Sequence, residues 1–350
     1  MPENPFTISF GRANTQIIER DSELQTIFDD FDKEPARKTT YILTGPRGCG
    51  KTVALSHILD HYRAQKNWVV ARLSMTDNMI EQLASLLYEN GLSKYKFLKA
   101  EFSVSFHGIS FHVAGNTPAT SIETYLEKIL TYYKSKGIRV LVAIDDVAKT
   151  PAMVNFIRTY QGFLIDHHDV RLLLTGLYKN ISKLETERSL TFLFRAPKIQ
   201  LSSLSLLAIA QSYESVFHMN EDKALQVAKL TKGYALAYQI LGDILFRKEK
   251  NEITASILKE FDKDLAEWSY DIIWSKLTIK EKEILTAVAQ GFSSNQEIME
   301  KLSMSKGNLA IYKKQLSQEG LLNVSIRRKL QFSLPRFDRY VIIQKKLEEN

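Results

Sequence analysis

The stretch TGPRGCGKT, Thr44 to Thr52, constrains this chain more than any other. Gly45-Pro46-Arg47-Gly48-Cys49-Gly50-Lys51-Thr52 fits the pattern G-x-x-x-x-G-K-[ST]. The glycines let successive backbone N–H groups converge on phosphate oxygens. The lysine reaches the outer phosphates, and the Thr52 hydroxyl can ligate Mg²⁺. Such a loop needs a strand to deliver it and a helix to leave by, because the helix N-terminus adds its own favourable field for an anion. Both are legible: TYILT (40–44) is an apolar run, and KTVALSHILDHYRAQ (51–65) has helical period. Val53 belongs to the loop's exit as the first apolar residue of that helix.

Four more β-like runs follow: WVVARLS (68–74), RVLVAID (139–145), VRLLLTG (170–176) and PKIQL (197–201). Several are continuously apolar, as strands buried on both faces are. Their alternation with helical segments predicts a parallel sheet covered by helices. AEFSVSFHGISFHVAG (100–115) breaks the rhythm. It alternates around Gly108 and reads as an inserted β-hairpin. Strand signals vanish after Leu204, where four helical segments run to about Leu277, with Asn220 as a cap and Gly233 as a terminator. The organisation expected is an α/β domain over 1–203, an all-helical lid over 204–270 and a third domain over 271–350.

Composition narrows the class. The 350 residues carry a net charge of +7 and one cysteine, Cys49, so no intrachain disulfide can form. The opening MPENPFTISFGR lacks the charge-then-apolar layout of a secretory signal. The longest uncharged apolar-leaning stretch, IQLSSLSLLAIAQSY (199–213), is too short and too rich in Ser and Gln to span a bilayer. The expectation is a soluble cytoplasmic protein with no membrane partner.

Nucleotide hydrolysis needs a carboxylate for the metal. VLVAIDDV (140–147) ends an apolar strand on Asp145 and Asp146. Asp145 suits Mg²⁺ through water, and Asp146 stands where an acid activates the attacking water. Asp is one methylene shorter than Glu, which predicts slow turnover. Thr175 ends the strand RLLLTG and is expected to bring a hydroxyl near the γ-phosphate.

With these motifs in hand, NPFTISFGRANTQIIERDSEL (4–24) resembles the entry segment of bacterial and archaeal AAA+ ATPases related to the STAND switch ATPases and to origin-recognition initiators. A box of the form GR-x-x-E-L precedes the phosphate loop in that clade. Here Arg20 and Glu23-Leu24 match, with Glu19 in place of the usual Gly. The resemblance implies that Ile17, Ile18 and Arg20 wrap adenine and ribose, that ATP and ADP with Mg²⁺ are the cofactors, and that the α/β P-loop NTPase sheet has order 5-1-4-3-2. TFLFRAPKIQLSSLS (191–205) resembles the segment in which Arg195 would act as an arginine finger on a neighbouring subunit, so a homo-oligomer in the ATP state is implied. KGYALAYQILG (232–242) resembles the lid's G-Y-P turn, but Ala235 replaces Pro and no Arg is present for a second sensor.

The last segment has its own plan. Three helices, IKEKEILTAVAQ, NQEIMEKL and KGNLAIYKKQLSQEG, precede a hairpin of LLNVSI and LQFSL with a basic tip, and together they resemble a winged helix-turn-helix. Residues 271–350 hold 14 Lys and Arg against 9 Asp and Glu, so most of the chain's charge surplus lies there. In a winged helix the third helix enters the major groove. With Leu309, Ile311 and Leu316 turned to the core, Lys306, Asn308, Tyr312 and Lys313 are left for duplex DNA. Arg327, Arg328 and Lys329 would meet phosphate. The alternative partner for the same module is a protein, which would make the chain a signalling scaffold. DHHD (166–169) reads as a structural turn rather than a zinc site, and Cys49 as a small loop filler.

Overall fold

A computed structural model describes residues 3–6, 17–18, 20–92, 102–105, 110–113, 117–118, 122–324 and 329–348. The chain divides into two compact units. The α/β unit comprises 21–44 and 51–200. The helical unit comprises 1–20, 45–50 and 201–350.

In the α/β unit, α1 (Asp21–Phe31) leads into β1 (Thr40–Thr44), α2 (Lys51–Arg63), β2 (Trp68–Leu73) and α3 (Met79–Leu87). Three short antiparallel strands follow: β3 (Phe102–Ser105), β4 (Ser110–Val113) and β5 (Thr117–Pro118). They realise the expected hairpin, with Phe102 opposite Val113 and a third strand added; Gly108 lies outside the described residues. Then come α4 (Ile122–Ser135), β6 (Arg139–Ile144), α5 (Pro151–Ile165), β7 (Val170–Gly176), α6 (Tyr178–Glu185), α7 (Thr191–Phe194) and β8 (Lys198–Gln200).

The main sheet is parallel, in the order β2-β6-β7-β1-β8. Counting only its own strands along the chain, that is 5-1-4-3-2 from the β8 edge. Every residue of β1, β6 and β7 is buried, which is why their centres read as apolar runs, 41–43, 140–144 and 172–174. The edge strand β8 is mostly exposed, and its sequence KIQ is correspondingly mixed. The register sets the ends of β1, β6 and β7 side by side: Ile144 pairs with Leu174, and Leu43 with Thr175.

The helical unit contains α8 (Leu206–Phe217), α9 (Glu221–Leu230), α10 (Ala235–Arg247), α11 (Ala255–Leu265), a five-residue π-helical segment (Ala266–Tyr270) and α12 (Asp271–Ser275). It continues with α13 (Ile279–Ala289), α14 (Asn295–Leu302), α15 (Lys306–Gln318), the two-residue strands β9 (Leu322–Asn323) and β10 (Gln331–Phe332), and α16 (Phe337–Glu348). β9 and β10 pair antiparallel. Capping residues start these helices where the sequence places them. Asn220 accepts from the Lys223 N–H, Thr278 and Ser294 form capping boxes with Glu281 and Glu297, and Ser305 accepts from the Asn308 N–H. One continuous core runs from Phe6 through α8–α16. Gly242 makes room for Phe6, whose ring atoms would stand 2.4 Å from a Cβ there.

Two features of this unit depart from the sequence reading. α16 was not expected, although Phe337, Tyr340 and Val341 are buried at helical spacing. Ile311 was expected in the core but is 57% exposed, whereas Tyr312 packs against the core beside buried Leu309 and Leu316. The spacing explains the correction: 309, 312 and 316 share one helical face, and 311 sits roughly 200° round from 309. Among the described residues, no helix is long and apolar enough to cross a membrane.

Candidate functional site

The strand ends of the α/β unit hold one group of candidate residues. Asp145 follows β6, and both of its carboxylate oxygens are engaged. The buried Thr175 hydroxyl donates to Oδ1 at 2.5 Å, and Arg72 Nη2 donates to Oδ2 at 3.2 Å. Thr175 Oγ1 also accepts the Asp146 N–H at 2.9 Å, and the Thr175 carbonyl accepts the Val147 N–H at 2.8 Å. Thr175 thus fixes the turn after β6, and its proton is committed to Asp145. Asp146 adopts φ +50°, a left-handed conformation that Asp tolerates better than most residues.

Lys51 and Thr52 open α2; Lys51 is buried, Thr52 exposed and Val53 half-buried. A hydroxyl at Thr52 and a carboxylate at Asp145 are hard oxygen donors of the kind Mg²⁺ uses. That ion takes few protein ligands and completes its shell with phosphate and water. Among the described residues there is no group of three or more His, Cys, Asp or Glu placed to hold a metal ion.

The loop itself, Gly45–Gly50, belongs to the helical unit. Its backbone is held by that unit through three consecutive carbonyls. Tyr234 Oη donates to the Arg47 carbonyl at 2.6 Å, the Leu236 N–H to the Gly48 carbonyl at 3.0 Å, and Arg20 Nη2 to the Cys49 carbonyl at 3.0 Å. Arg20 also donates to the Ser202 carbonyl at 2.7 Å. Gly48 has φ +76°, and a Cβ there would lie 2.2 Å from Tyr234 Oη, so only glycine fits. Pro46 packs on Gly320, just after α15, where a Cβ would come within 2.7 Å of the proline ring. Cys49 is buried, and its thiol occupies the space a Gly45 Cβ would need.

This geometry fits what the comparisons find. Residues 17–266 match the ATPase_2 family model, an ATPase domain predominantly from Archaea. The chain belongs to that family. Residues 268–341 match a second model, a domain of unknown function (DUF8462). A search of curated proteins gives no match. Among solved structures, the Walker-type ATPase PABY2304 of Pyrococcus abyssi aligns with TM-score 0.64 at 13% identity, covering 93% of this chain and 96% of that one. The Aeropyrum pernix ORC2 protein, solved as ADPNP-ADP complexes, aligns with TM-score 0.55 at 13% identity over 93% and 92%. Cdc6p from Pyrobaculum aerophilum aligns with TM-score 0.50 at 14% identity over 99% and 98%. At these identities the likeness is one of fold.

The remaining sequence candidates of this ATPase-family chain are distributed as follows. Ile17 is 49% exposed, and Ile18 packs against the helical unit's core. Arg195 is exposed at the end of α7, directly after Phe194, which is 71% exposed. On α15, Lys306 and Asn308 are exposed, while Tyr312 is half-buried. Lys313 donates to the Asn295 side chain of α14 at 2.7 Å, and burial pulls its pKa below the usual lysine value. Lys329 is exposed next to β10; Arg327 and Arg328 lie outside the described residues. In DHHD, His168 is buried with Nε2 2.5 Å from the Glu127 carboxylate, a contact that ties the turn to α4.

Sequence reasoning missed two residues. Arg72 is the one charged residue in WVVARL and the one exposed position of that strand, near its end beside Asp145. Tyr234 lies in the segment likened to a lid turn, but nothing local announces that its hydroxyl reaches a loop 187 residues away.

Proposed function

We propose that the chain is an ATP-binding, slowly hydrolysing switch that couples nucleotide state to duplex DNA through a C-terminal winged helix. The observation that carries this reading is a G-x-x-x-x-G-K-T loop that follows the buried strand β1, with Asp145 directly after β6, two strands away across β7 in the same parallel sheet. Lys51 takes the outer phosphates; Thr52 and Asp145 hold Mg²⁺. Asp146 orients the attacking water, with Thr175 setting that turn. Ile17, Ile18 and Arg20 line the nucleoside end. Arg195 acts on the nucleotide of a second copy in an ATP-state oligomer, a role its exposure and the adjoining exposed Phe194 support.

For the C-terminal segment, three capped helices followed by an antiparallel β9–β10 ribbon support a winged helix. Exposed Lys306 and Asn308 on α15 and exposed Lys329 just before β10 are the candidate contacts among the described residues, and Arg327 and Arg328 join them from the sequence. The second reading is a scaffold whose winged helix binds protein, with hydrolysis as a timer. Exposed Ile311, on the same helix as the basic contacts, favours it.

Fluorescence anisotropy on a labelled duplex separates the two. The protein is titrated with ATP, with ADP and without nucleotide, at two salt concentrations, alongside Lys51→Ala and Arg327→Ala/Arg328→Ala. Expected for the switch is affinity that falls by orders of magnitude between about 50 and 200 mM salt, drops in the wing variant and differs between ATP and ADP. No duplex binding in any state, with ATP binding intact, favours the scaffold.

A further inference from the structure

The three carbonyls held behind the phosphate loop have a stereochemical consequence. A trans peptide is planar, so the C=O of one residue and the N–H of the next point in opposite directions. Fixing the carbonyls of Arg47, Gly48 and Cys49 therefore fixes the N–H groups of Gly48, Cys49 and Gly50 on the opposite side of the loop. The Cys49 N–H closes the loop on the Pro46 carbonyl at 3.3 Å. The Gly48 and Gly50 N–H groups are aimed away from the strap, the direction from which a bound phosphate must approach.

Of the three straps, the Leu236 N–H is backbone, and Arg20 is solvent-accessible. Tyr234 is different. It is buried, and its hydroxyl has a single proton, which must go to the Arg47 carbonyl because a carbonyl only accepts. The 2.9 Å contact with Ser269 Oγ then has a fixed sense: buried Ser269 donates and Tyr234 accepts. Burial also holds the phenol's pKa well above 10, so the proton is always present to donate. Ser269 sits in the π-helical segment between α11 and α12, a local irregularity that displaces a side chain from its α-helical direction.

We propose that Tyr234 is a positioning residue for nucleotide binding: held by Ser269, it draws the Arg47 carbonyl back and so presets the N–H groups of the phosphate loop. This rests on the nucleotide-binding reading above. Tyr234 need not touch the nucleotide. Because the strap shapes the part of the loop that holds phosphates common to ATP and ADP, losing it weakens both equally.

The test uses the full chain, with titration calorimetry of Mg-ATP and Mg-ADP on wild type, Tyr234→Phe, Ser269→Ala and Lys51→Ala, and melting curves recorded without nucleotide. Expected is a roughly tenfold loss of affinity for both nucleotides in Tyr234→Phe, the scale of one buried hydrogen bond left unmade. Ser269→Ala, which keeps the phenol but frees it to turn, should show a smaller loss of about threefold. A folded Tyr234→Phe or Ser269→Ala protein that binds both nucleotides like wild type, while Lys51→Ala does not bind, overturns this inference and leaves the nucleotide-binding reading standing. A loss confined to ATP overturns it too, since it would mean contact with the γ-phosphate rather than shaping of the loop. If Tyr234→Phe fails to fold, Ser269→Ala decides by the same criteria. Wild type that binds neither nucleotide overturns the reading and the inference together.

Discussion

The strand-end cluster and the phosphate loop are built by opposite means. Around Asp145, side chains hold side chains: Thr175 and Arg72 grip one carboxylate from adjacent strands of one sheet. Around Gly45–Gly50, the groups proposed to meet phosphate are backbone, and what holds that backbone comes from far along the chain: Tyr234, Leu236 and Arg20. The first arrangement tolerates partial loss, because one partner can leave while another remains. The second depends on distant straps for its shape, because a loop of glycines has little conformational preference of its own.

The sharpest way to break this comparison is Gly48→Ala. The left-handed backbone at φ +76° costs a non-glycine residue about 1–2 kcal/mol. Overlap of the new Cβ with the Tyr234 hydroxyl adds about 1–3 kcal/mol more, the scale of an overpacked core. Expected are a clear fall in the melting temperature and no measurable ATP binding. Adding Tyr234→Ala removes the overlap, so the double variant should lose less stability than the sum of the single losses. Strict additivity in that cycle would mean the two residues do not meet.

The contrast also explains what could be read in advance. β1 and β7 were legible to the residue, because burial on both faces puts an apolar run at each strand's centre, and Asp145 was legible because it follows such a run. Thr175 was read as a hydroxyl free to meet phosphate, yet its proton is spent on Asp145. Strand order decides that neighbour, and order is not local information. Ile311 was misplaced because α15 has a weak apolar stripe, in which a half-buried Tyr takes the inward position and an Ile faces out. Tyr234 was out of reach altogether. A side chain that serves a backbone 187 residues away leaves no pattern in either segment.

A milder perturbation comes from the other end of the loop. Gly320 and Gly291 both follow helices at positive φ, +73° and +101°, but only Gly320 has a neighbour, Pro46. Alanine at either position pays the left-handed cost of about 1–2 kcal/mol. Gly291→Ala is therefore a control for strain alone. Both variants should melt earlier, Gly320→Ala by more because its Cβ also overlaps the Pro46 ring, and only Gly320→Ala should weaken ATP binding. Equal ATP affinity in the two would mean that Pro46 yields without moving the loop.

The smallest effect belongs to Arg72 at the strand ends. Arg72 is partly exposed, and an ion pair in contact with water contributes less than about 1 kcal/mol. Arg72→Ala should barely shift the melting temperature, because Asp145 keeps its bond to Thr175. Thr175→Val removes a fully buried hydroxyl and strands both Asp145 Oδ1 and the Asp146 N–H, at about 1–3 kcal/mol. The order Thr175→Val well above Arg72→Ala is what the geometry requires. If Arg72→Ala instead proved the more damaging, the carboxylate would be held chiefly by charge. Raising the ionic strength would then destabilise wild type and leave Arg72→Ala unchanged, because salt screens an exposed pair far more than a buried hydroxyl contact.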